Sequence, residues 1–303
     1  MLSMKKVILL TLVWILSISL YSQNFSIIGK FSPNPYSTID VCHISENSIT
    51  FNYEDKLESK IVNFKETHKD GILFFEMAEN FPKEFNEDYY YGKNVSTNNN
   101  MLILSGKQKN HKRYNNGKEE IYDFILMIAA TEGFDTPYPF IFPTRSYFET
   151  YHTKYYDCSS FLVEKSTKYD VDNLHELGLD TPWVENAKGS GIGEGFSIQN
   201  TELCPYILIM NGYISYKKPY LYKRNNRVKK LKITGLKSGK TKTLDVLDTP
   251  HPQTIDISFI TENEDLRIEI ADVYKGTKYD DTCIHYLIAY EDEVIPYEST
   301  IPD

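Results

Sequence analysis

This 303-residue chain is poor in several features that would point to familiar chemistry. Cysteine occurs four times, at Cys42, Cys158, Cys204 and Cys283, and never as a C-x-x-C pair. Neither a zinc ribbon nor a thioredoxin-like redox site is supported. Histidine occurs seven times; His175, His251 and His285 of the second half are scattered, and no His-x-x-x-His pair exists. They read as surface or packing residues rather than metal ligands. Basic residues number 33 against 42 acidic ones, for a net charge of -9. That sign argues against a nucleic-acid backbone as partner, because phosphate binding needs clustered Lys and Arg. Tryptophan occurs twice, as Trp14 and Trp183. No catalytic motif is found, and no cofactor is expected.

Long apolar runs are also missing, except at the start. Met4, Lys5 and Lys6 precede an apolar run from Val7 to Leu20. A spanning helix needs about 20 apolar residues, so this run is short for a membrane span and has the flanks of a signal peptide. Cleavage after Ser22 would leave Gln23 as the mature start, with no membrane span afterwards. The alternative is an uncleaved anchor. Export, to the periplasm or outside the cell, is the expectation. In an oxidising compartment Cys158 and Cys283 are candidates to pair, with buried free thiols as the alternative.

What is abundant is Tyr, with 24 residues against 16 Phe, which suits β-sheet surfaces and sugar-binding faces alike. From Phe25 to about Ala130 the chain reads as short strands between turns. Ser48–Tyr53 alternates, Lys60–Phe64 follows, and Lys69-Asp70-Gly71 marks a turn before Ile72–Met77. Met101–Leu104 and Ile121–Ile128 are further strands, and Asn115-Asn116-Gly117 is a turn before the latter. This spacing predicts a small antiparallel β-barrel or sandwich over 23–135. Thr136–Pro143 holds three prolines, which excludes helix and central strand and places a Pro/aromatic linker at 136–154.

The second half, 155–292, is again mostly β, with a tail at 293–303. Cys158–Lys165, Cys204–Met210, Val228–Thr234, Thr254–Phe259 and Leu266–Ile270 are strand-like, and Lys237-Ser238-Gly239-Lys240 is a turn. Leu266, Ile268 and Ile270 alternate with Arg267 and Glu269, as a half-buried sheet requires. Gly189-Ser190-Gly191-Ile192-Gly193-Glu194-Gly195 lacks the Lys-Ser/Thr of a P-loop and the G-x-G-x-x-G spacing. It reads as a tight loop entering a strand. Asp272, Asp280 and Asp281 supply hard oxygens, but in no known calcium spacing. Turn chemistry and a salt bridge to Arg227 or Lys278 are expected instead, and no metal site is assigned.

Four blocks occur in order: Asp180–Phe196, with Thr181-Pro182-Trp183-Val184-Glu185 and Gly189-Ser190-Gly191-Ile192-Gly193-Glu194; Met210-Asn211-Gly212-Tyr213; Tyr220–Val228, with Asn225, Asn226 and Arg227; and Asp272–Thr282. Together they resemble the NADase-type glycan-binding domain. The resemblance covers a little under half of the chain. It departs at Gly195, at Leu177-Gly178-Leu179-Asp180 and at Cys283-Ile284-His285-Tyr286. It implies a jelly-roll, galactose-binding-like, discoidin-related β-sandwich without catalysis of its own. A glycan or cell-envelope carbohydrate is the implied partner.

The candidate ligand residues are Trp183, Glu185, Tyr213, Tyr216, Tyr220, Tyr222, Arg227, Tyr274 and Tyr279. Trp183 has an ordinary alternative, as the core plug of the sandwich. Tyr213, Tyr216, Tyr220 and Tyr222 lie among Lys217, Lys218, Lys223 and Arg224. Their rings would stack on sugars while the cations bond hydroxyls or acidic groups; an ordinary solvated hairpin is the alternative. The rival to a binding protein is a secreted hydrolase, glycosidase or NAD glycohydrolase-like, with its active site in the N-terminal domain.

Overall fold

The structure is a computed structural model. It describes strand backbones at 23–27, 39–44, 48–53, 59–69, 72–77, 100–109, 121–130 and 140–141, and the chain at 154–175, 182–200, 203–215 and 218–296. Residues 1–22, expected as a signal peptide, and Asn115–Gly117, Leu177–Asp180 and Tyr216 lie outside the described residues.

Seven N-terminal strands pair in chain order: β1 (Gln23–Ile27), β2 (Ile39–Ile44), β3 (Ser48–Tyr53), β4 (Ser59–Lys69), β5 (Ile72–Met77), β6 (Asn100–Lys109) and β7 (Ile121–Ala130). Each neighbouring pair is antiparallel. The ring closes where Ser26 and Ile27 of β1 meet Phe124 and Ile125 of β7. That closing pair is parallel, which corrects the expectation of a wholly antiparallel barrel. The reason is parity: an odd number of alternating strands leaves first and last running the same way. β8 (Phe140–Ile141), inside the proline-rich stretch, pairs only with β7. Proline lacks the donor for a two-sided ladder, so this margin suits it.

The C-terminal half is a two-layered β-sandwich. One layer contains β9 (Tyr155–Tyr156), β13 (Gly195–Ile198), β18 (Leu266–Tyr274), β15 (Asn226–Gly235) and β16 (Thr241–Asp245), in that order. The other contains β17 (Gln253–Asp256), β14 (Tyr206–Asn211), β19 (Thr282–Tyr290) and β12 (Trp183–Val184). The layers join at a corner, where Asn226 and Arg227 run parallel to Thr282 and Cys283. A small hairpin of β10 (Leu162–Glu164) and β11 (Thr167–Tyr169) leads to a 3-10 turn at Val171–His175. The strand expected over Cys158–Lys165 shortens to β10.

Between the layers lie Ile198, Ile207, Ile209, Leu231, Ile233, Ile255, Ile268, Ile270 and Leu287, all nearly or wholly buried. Each such side chain contributes about 1.5–3 kcal/mol by leaving water. β18 alternates, with Leu266, Ile268 and Ile270 buried and Arg267 and Glu269 half-buried. β19 is buried along its whole length. Its second face carries Tyr286, Ile288 and Tyr290, beside Leu208 and Met210 of β14. A bulge sets this out. Asn211 faces Ile284 while Met210 faces Tyr286, leaving His285 as the extra residue.

The segment from residue 293, read as a tail, begins with a strand. β20 (Glu293–Pro296) pairs antiparallel with β6, from Glu293 opposite Lys109 to Pro296 opposite Gly106. A Cβ at Gly106 would overlap the carbonyl of Ile295, so glycine lets this strand approach. Cys158 and Cys283 form no disulfide. The Cys158 thiol donates to the Ser160 carbonyl at 3.1 Å, and burial pushes the Cys283 thiol well up.

Candidate ligand-binding site

Three of the four sequence blocks and part of the fourth meet at one end of the sandwich, where Asn211, Asn226 and Glu185 bond to backbone groups of other blocks. Asn211 ends β14 and clamps β15. Its Oδ1 accepts from the Val228 N–H at 2.9 Å, and its Nδ2 donates to the Val228 carbonyl at 2.7 Å. Gly212 follows with φ of +82°, and a side chain there would press on Arg227 and Tyr222. Only glycine adopts that conformation at low cost.

Arg227 is the centre of this hub. Its Nε and Nη2 donate to both oxygens of Asp248, at 2.8 and 2.7 Å, and Nη1 donates to the Asn225 carbonyl at 3.0 Å. The guanidinium sits 5.4 Å from the Tyr222 ring centroid, and the Tyr222 hydroxyl donates to Asp248 at 3.2 Å. Burial works to lower the Arg227 pKa, but the paired hydrogen bonds and charge of Asp248 outweigh it and hold it above the ordinary value. Burial, then the Asp248 charge, raises Tyr222 well above its usual range. Sequence reading placed Arg227 on the ligand face or in a salt bridge with an aspartate of the 272–281 block. Its partner is Asp248, and Asp272 pairs with Lys229 at 2.9 Å.

Glu185 is wholly buried. Its carboxylate accepts from the Thr282 N–H at 2.9 Å and the Ala187 N–H at 2.7 Å. Burial raises its pKa, and those two donors partly offset the rise. The glycine-rich loop wraps this carboxylate. Gly189, Gly191 and Gly193 all have positive φ, and a Cβ on Gly191 would strike the Glu185 side chain. The loop ends where Gly195 starts β13. A Cβ there would overlap the Ile268 carbonyl and come within 2.9 Å of the Glu269 Cα. The departure at Gly195 is therefore a packing requirement between two strands.

Several named candidates are interior. Trp183 has no exposed surface. It packs edge-on against Phe196 at 5.1 Å, and its Nε1 donates to the Ser160 carbonyl at 3.1 Å. Tyr213 is 9% exposed and lies 6.1 Å from the Tyr169 ring. Trp183, Glu185 and Tyr222 therefore offer no face to a ligand in this conformation. Tyr274 is half-buried, and its hydroxyl donates to the Val246 carbonyl at 3.1 Å.

The exposed remainder forms a rim. A short helix, α1 (Leu221–Arg224), follows Tyr220 and ends at Asn225, whose Nδ2 donates back to the Leu221 carbonyl at 2.9 Å. The loop 275–281 docks on it. Thr277 N–H donates to the Lys223 carbonyl at 3.0 Å, and the N–H groups of Lys278 and Tyr279 donate to the Arg224 carbonyl at 3.2 and 2.9 Å. Gly276 N–H donates to Asn226 Oδ1 at 2.7 Å, and a Cβ on Gly276 would collide with Asn225. This docking brings Tyr220 and Tyr279 onto one surface. The Arg224 guanidinium lies 4.2 Å over the Tyr220 ring, and the Lys278 ammonium 4.9 Å over the Tyr279 ring. A hydrogen bond from Lys278, then the charges of Lys278 and Arg224, lowers the Tyr279 hydroxyl pKa. Both rings are half-exposed, and Lys218, Lys223, Lys275 and Lys278 are exposed.

Beside the rim, Asp281 is half-buried. Burial, then the charges of Glu164 and Asp280, raises its carboxyl. Glu194 accepts from the hydroxyls of Ser159 and Ser160, both at 2.5 Å. Among the described residues no group of three or more His, Cys, Asp or Glu is placed to hold a metal. No described helix is long and apolar enough to cross a membrane.

The residue that sequence reading missed is Asp248. It stands in Leu247-Asp248-Thr249-Pro250, an ordinary turn, and only the fold carries it to Arg227.

The fold thus defines a two-layered β-sandwich domain in the C-terminal half. Residues 146–289 match the family model described as the NAD glycohydrolase translocation F5/8 type C domain. A solved structure with a related build is the family 32 carbohydrate-binding module of NanJ from C. perfringens, in complex with galactose. It is 15% identical, covers 47% of this chain and 96% of that chain, and has a TM-score of 0.35. No curated protein matches the chain.

Proposed function

We propose that this chain is an exported glycan-binding protein that works by recognition rather than catalysis, through the rim at one end of its C-terminal sandwich. The observation that carries the reading is the pair of half-exposed rings, Tyr220 and Tyr279, each held by a cation and fixed on a braced helix–loop unit. A pyranose ring presents an apolar face that such rings cover, and its hydroxyls accept from Arg224 and Lys278. The matched F5/8 type C family model supports the same reading. Export rests on the charged start and apolar run before Gln23. The cell-envelope carbohydrate and the division at 23–135, 136–154 and 155–292 belong to this proposal.

Glycan-array binding by the chain from Gln23 to Asp303 tests it. The wild type should bind a defined group of glycans. Tyr220→Ala with Tyr279→Ala should abolish that binding while the melting curve stays cooperative. Full binding by the double variant would refute the rim as the site. Recovery of the protein only from the cytosol, with residues 1–22 intact, would refute export.

A further inference from the structure

The rim differs in charge from the flank of the sandwich along β15. Along the β15 flank the lysines have acidic partners: Lys229 with Asp272 at 2.9 Å, Lys230 with Asp245 at 2.6 Å, Lys232 with Glu269 at 2.8 Å and Lys237 with Glu262 at 2.8 Å. That is the expected state of a chain carrying more acid than base. On the rim, Lys223, Arg224, Lys275 and Lys278 make no ion pair among the described residues. Arg224 and Lys278 lie over tyrosine rings instead of carboxylates. Asp280 and Glu164 act on Asp281, whose carboxyl their charges help to raise.

Cations left unpaired at close quarters repel one another, and that repulsion is relieved by an anionic ligand. The backbone bonds from loop 275–281 to Lys223 and Arg224 hold the group together without a ligand, so the charge is set in advance. Resting on the glycan-binding reading above, we propose that the rim selects acidic glycans: sugars bearing carboxylates, with the rings of Tyr220 and Tyr279 covering the sugar and Lys223, Arg224, Lys275 and Lys278 meeting the acid groups. Arg224 is the residue suited to a two-pronged contact with a carboxylate, because its guanidinium matches that geometry. The lysines supply field rather than fixed geometry. The tyrosine rings set this rim apart from a simple basic patch, since a polyanion read by charge alone needs no stacking surface.

The test uses the chain from Gln23 to Asp303 and four probes: polygalacturonate, its fully methyl-esterified form, anionic vesicles containing 20% phosphatidylserine, and single-stranded oligothymidylate. Methyl esterification removes the charge and keeps the sugar. Polygalacturonate should bind and the ester should bind at least roughly tenfold more weakly, with affinity falling steeply as salt rises. The fourfold change Lys223→Gln, Arg224→Gln, Lys275→Gln and Lys278→Gln should erase the preference for the acid over the ester and leave the melting curve in place. Arg224→Lys alone should weaken acid binding, since it keeps charge and loses the forked contact. Equal binding of acid and ester would overturn the acidic preference and leave glycan binding standing. Vesicles or oligothymidylate binding as well as polygalacturonate would overturn it in favour of an unselective anion surface. Absence of binding to any glycan, acidic or neutral, would overturn both readings.

Discussion

The hub around Arg227 and the rim around Tyr279 are made from neighbouring residues of the same chain segments, yet they answer to different physics. Arg227 and Arg224 are three residues apart. Arg227 is 8% exposed and spends its donors on Asp248 and Asn225. Arg224 lies over Tyr220 with no carboxylate partner among the described residues. The same contrast separates Tyr222, buried with its hydroxyl on Asp248, from Tyr220, half-exposed two residues earlier. A motif therefore does not mark a ligand surface by itself. Its most characteristic residues here hold the end of the sandwich together, and less distinctive neighbours are left to face outward.

The comparison breaks first at the hub, where stability should suffer most. Gly195→Ala sets a Cβ against the Ile268 carbonyl in a two-stranded contact with no side chain to yield. It should cost about 3 kcal/mol, as overpacking at a backbone approach does, and chemical denaturation would measure it. Arg227→Ala should cost about 2 kcal/mol, less than a fully buried pair because Asp248 retains 34% of its side-chain exposure and can hydrate. Arg227→Lys should recover only part of that, since one ammonium cannot bridge both Asp248 oxygens.

Acid should act next, through groups inside the sandwich rather than on the rim. Burial lowers His285 from 6.5 to about 3 and His251 from 6.5 to about 4. Neither nitrogen of His285 meets a hydrogen-bond partner among the described residues. The unfolded chain therefore binds protons that the folded chain refuses. The histidine contribution to stability is fully present above pH 6.5 and falls away as pH drops toward 4. The slope is at most roughly 1.4 kcal/mol per pH unit for each histidine. Glu185 has a raised pKa and works in the opposite direction as pH falls, so comparing urea titrations with and without His285 isolates the histidine share. His285→Leu should flatten that slope by about one proton's worth.

The smallest effect on stability belongs to the rim. Tyr279→Ala should leave the denaturation midpoint where it is while removing glycan binding. A large loss of stability from Tyr279→Ala would erase the distinction between rim and hub. So would normal stability after Arg227→Ala.

Much of the strand order was legible because it rests on local signals. Ser48–Tyr53 and Ile72–Met77 match β3 and β5, and the turn at Lys237–Lys240 falls between β15 and β16. Alternation at Leu266–Ile270 marked the face of β18 that meets the core. β19 was less legible, because a strand buried on both faces shows no alternation. The strand β20 was unreadable as such: four residues at the end of a chain gain their ladder only by meeting β6, far away in sequence. Trp183 kept two readings, and Glu185 read as a ligand residue, for the same reason. Glu185 is satisfied by Thr282, 97 residues later, and no window of sequence contains both.

What the residues determined on their own was the β character of both halves, the turns that divide the strands, and the set of blocks that resembles a glycan-binding sandwich. These follow from the two-residue period of a strand and from the backbone freedom of Gly and Asn. Which polar and aromatic side chains face solvent was decided only by the tertiary structure. Arg227 is drawn inward because Asp248 meets it there, and Tyr279 stays outward because its loop docks on α1 through the backbone carbonyls of Lys223 and Arg224. Burial depends on what lies across the fold, and that partner is not encoded next to the residue it covers.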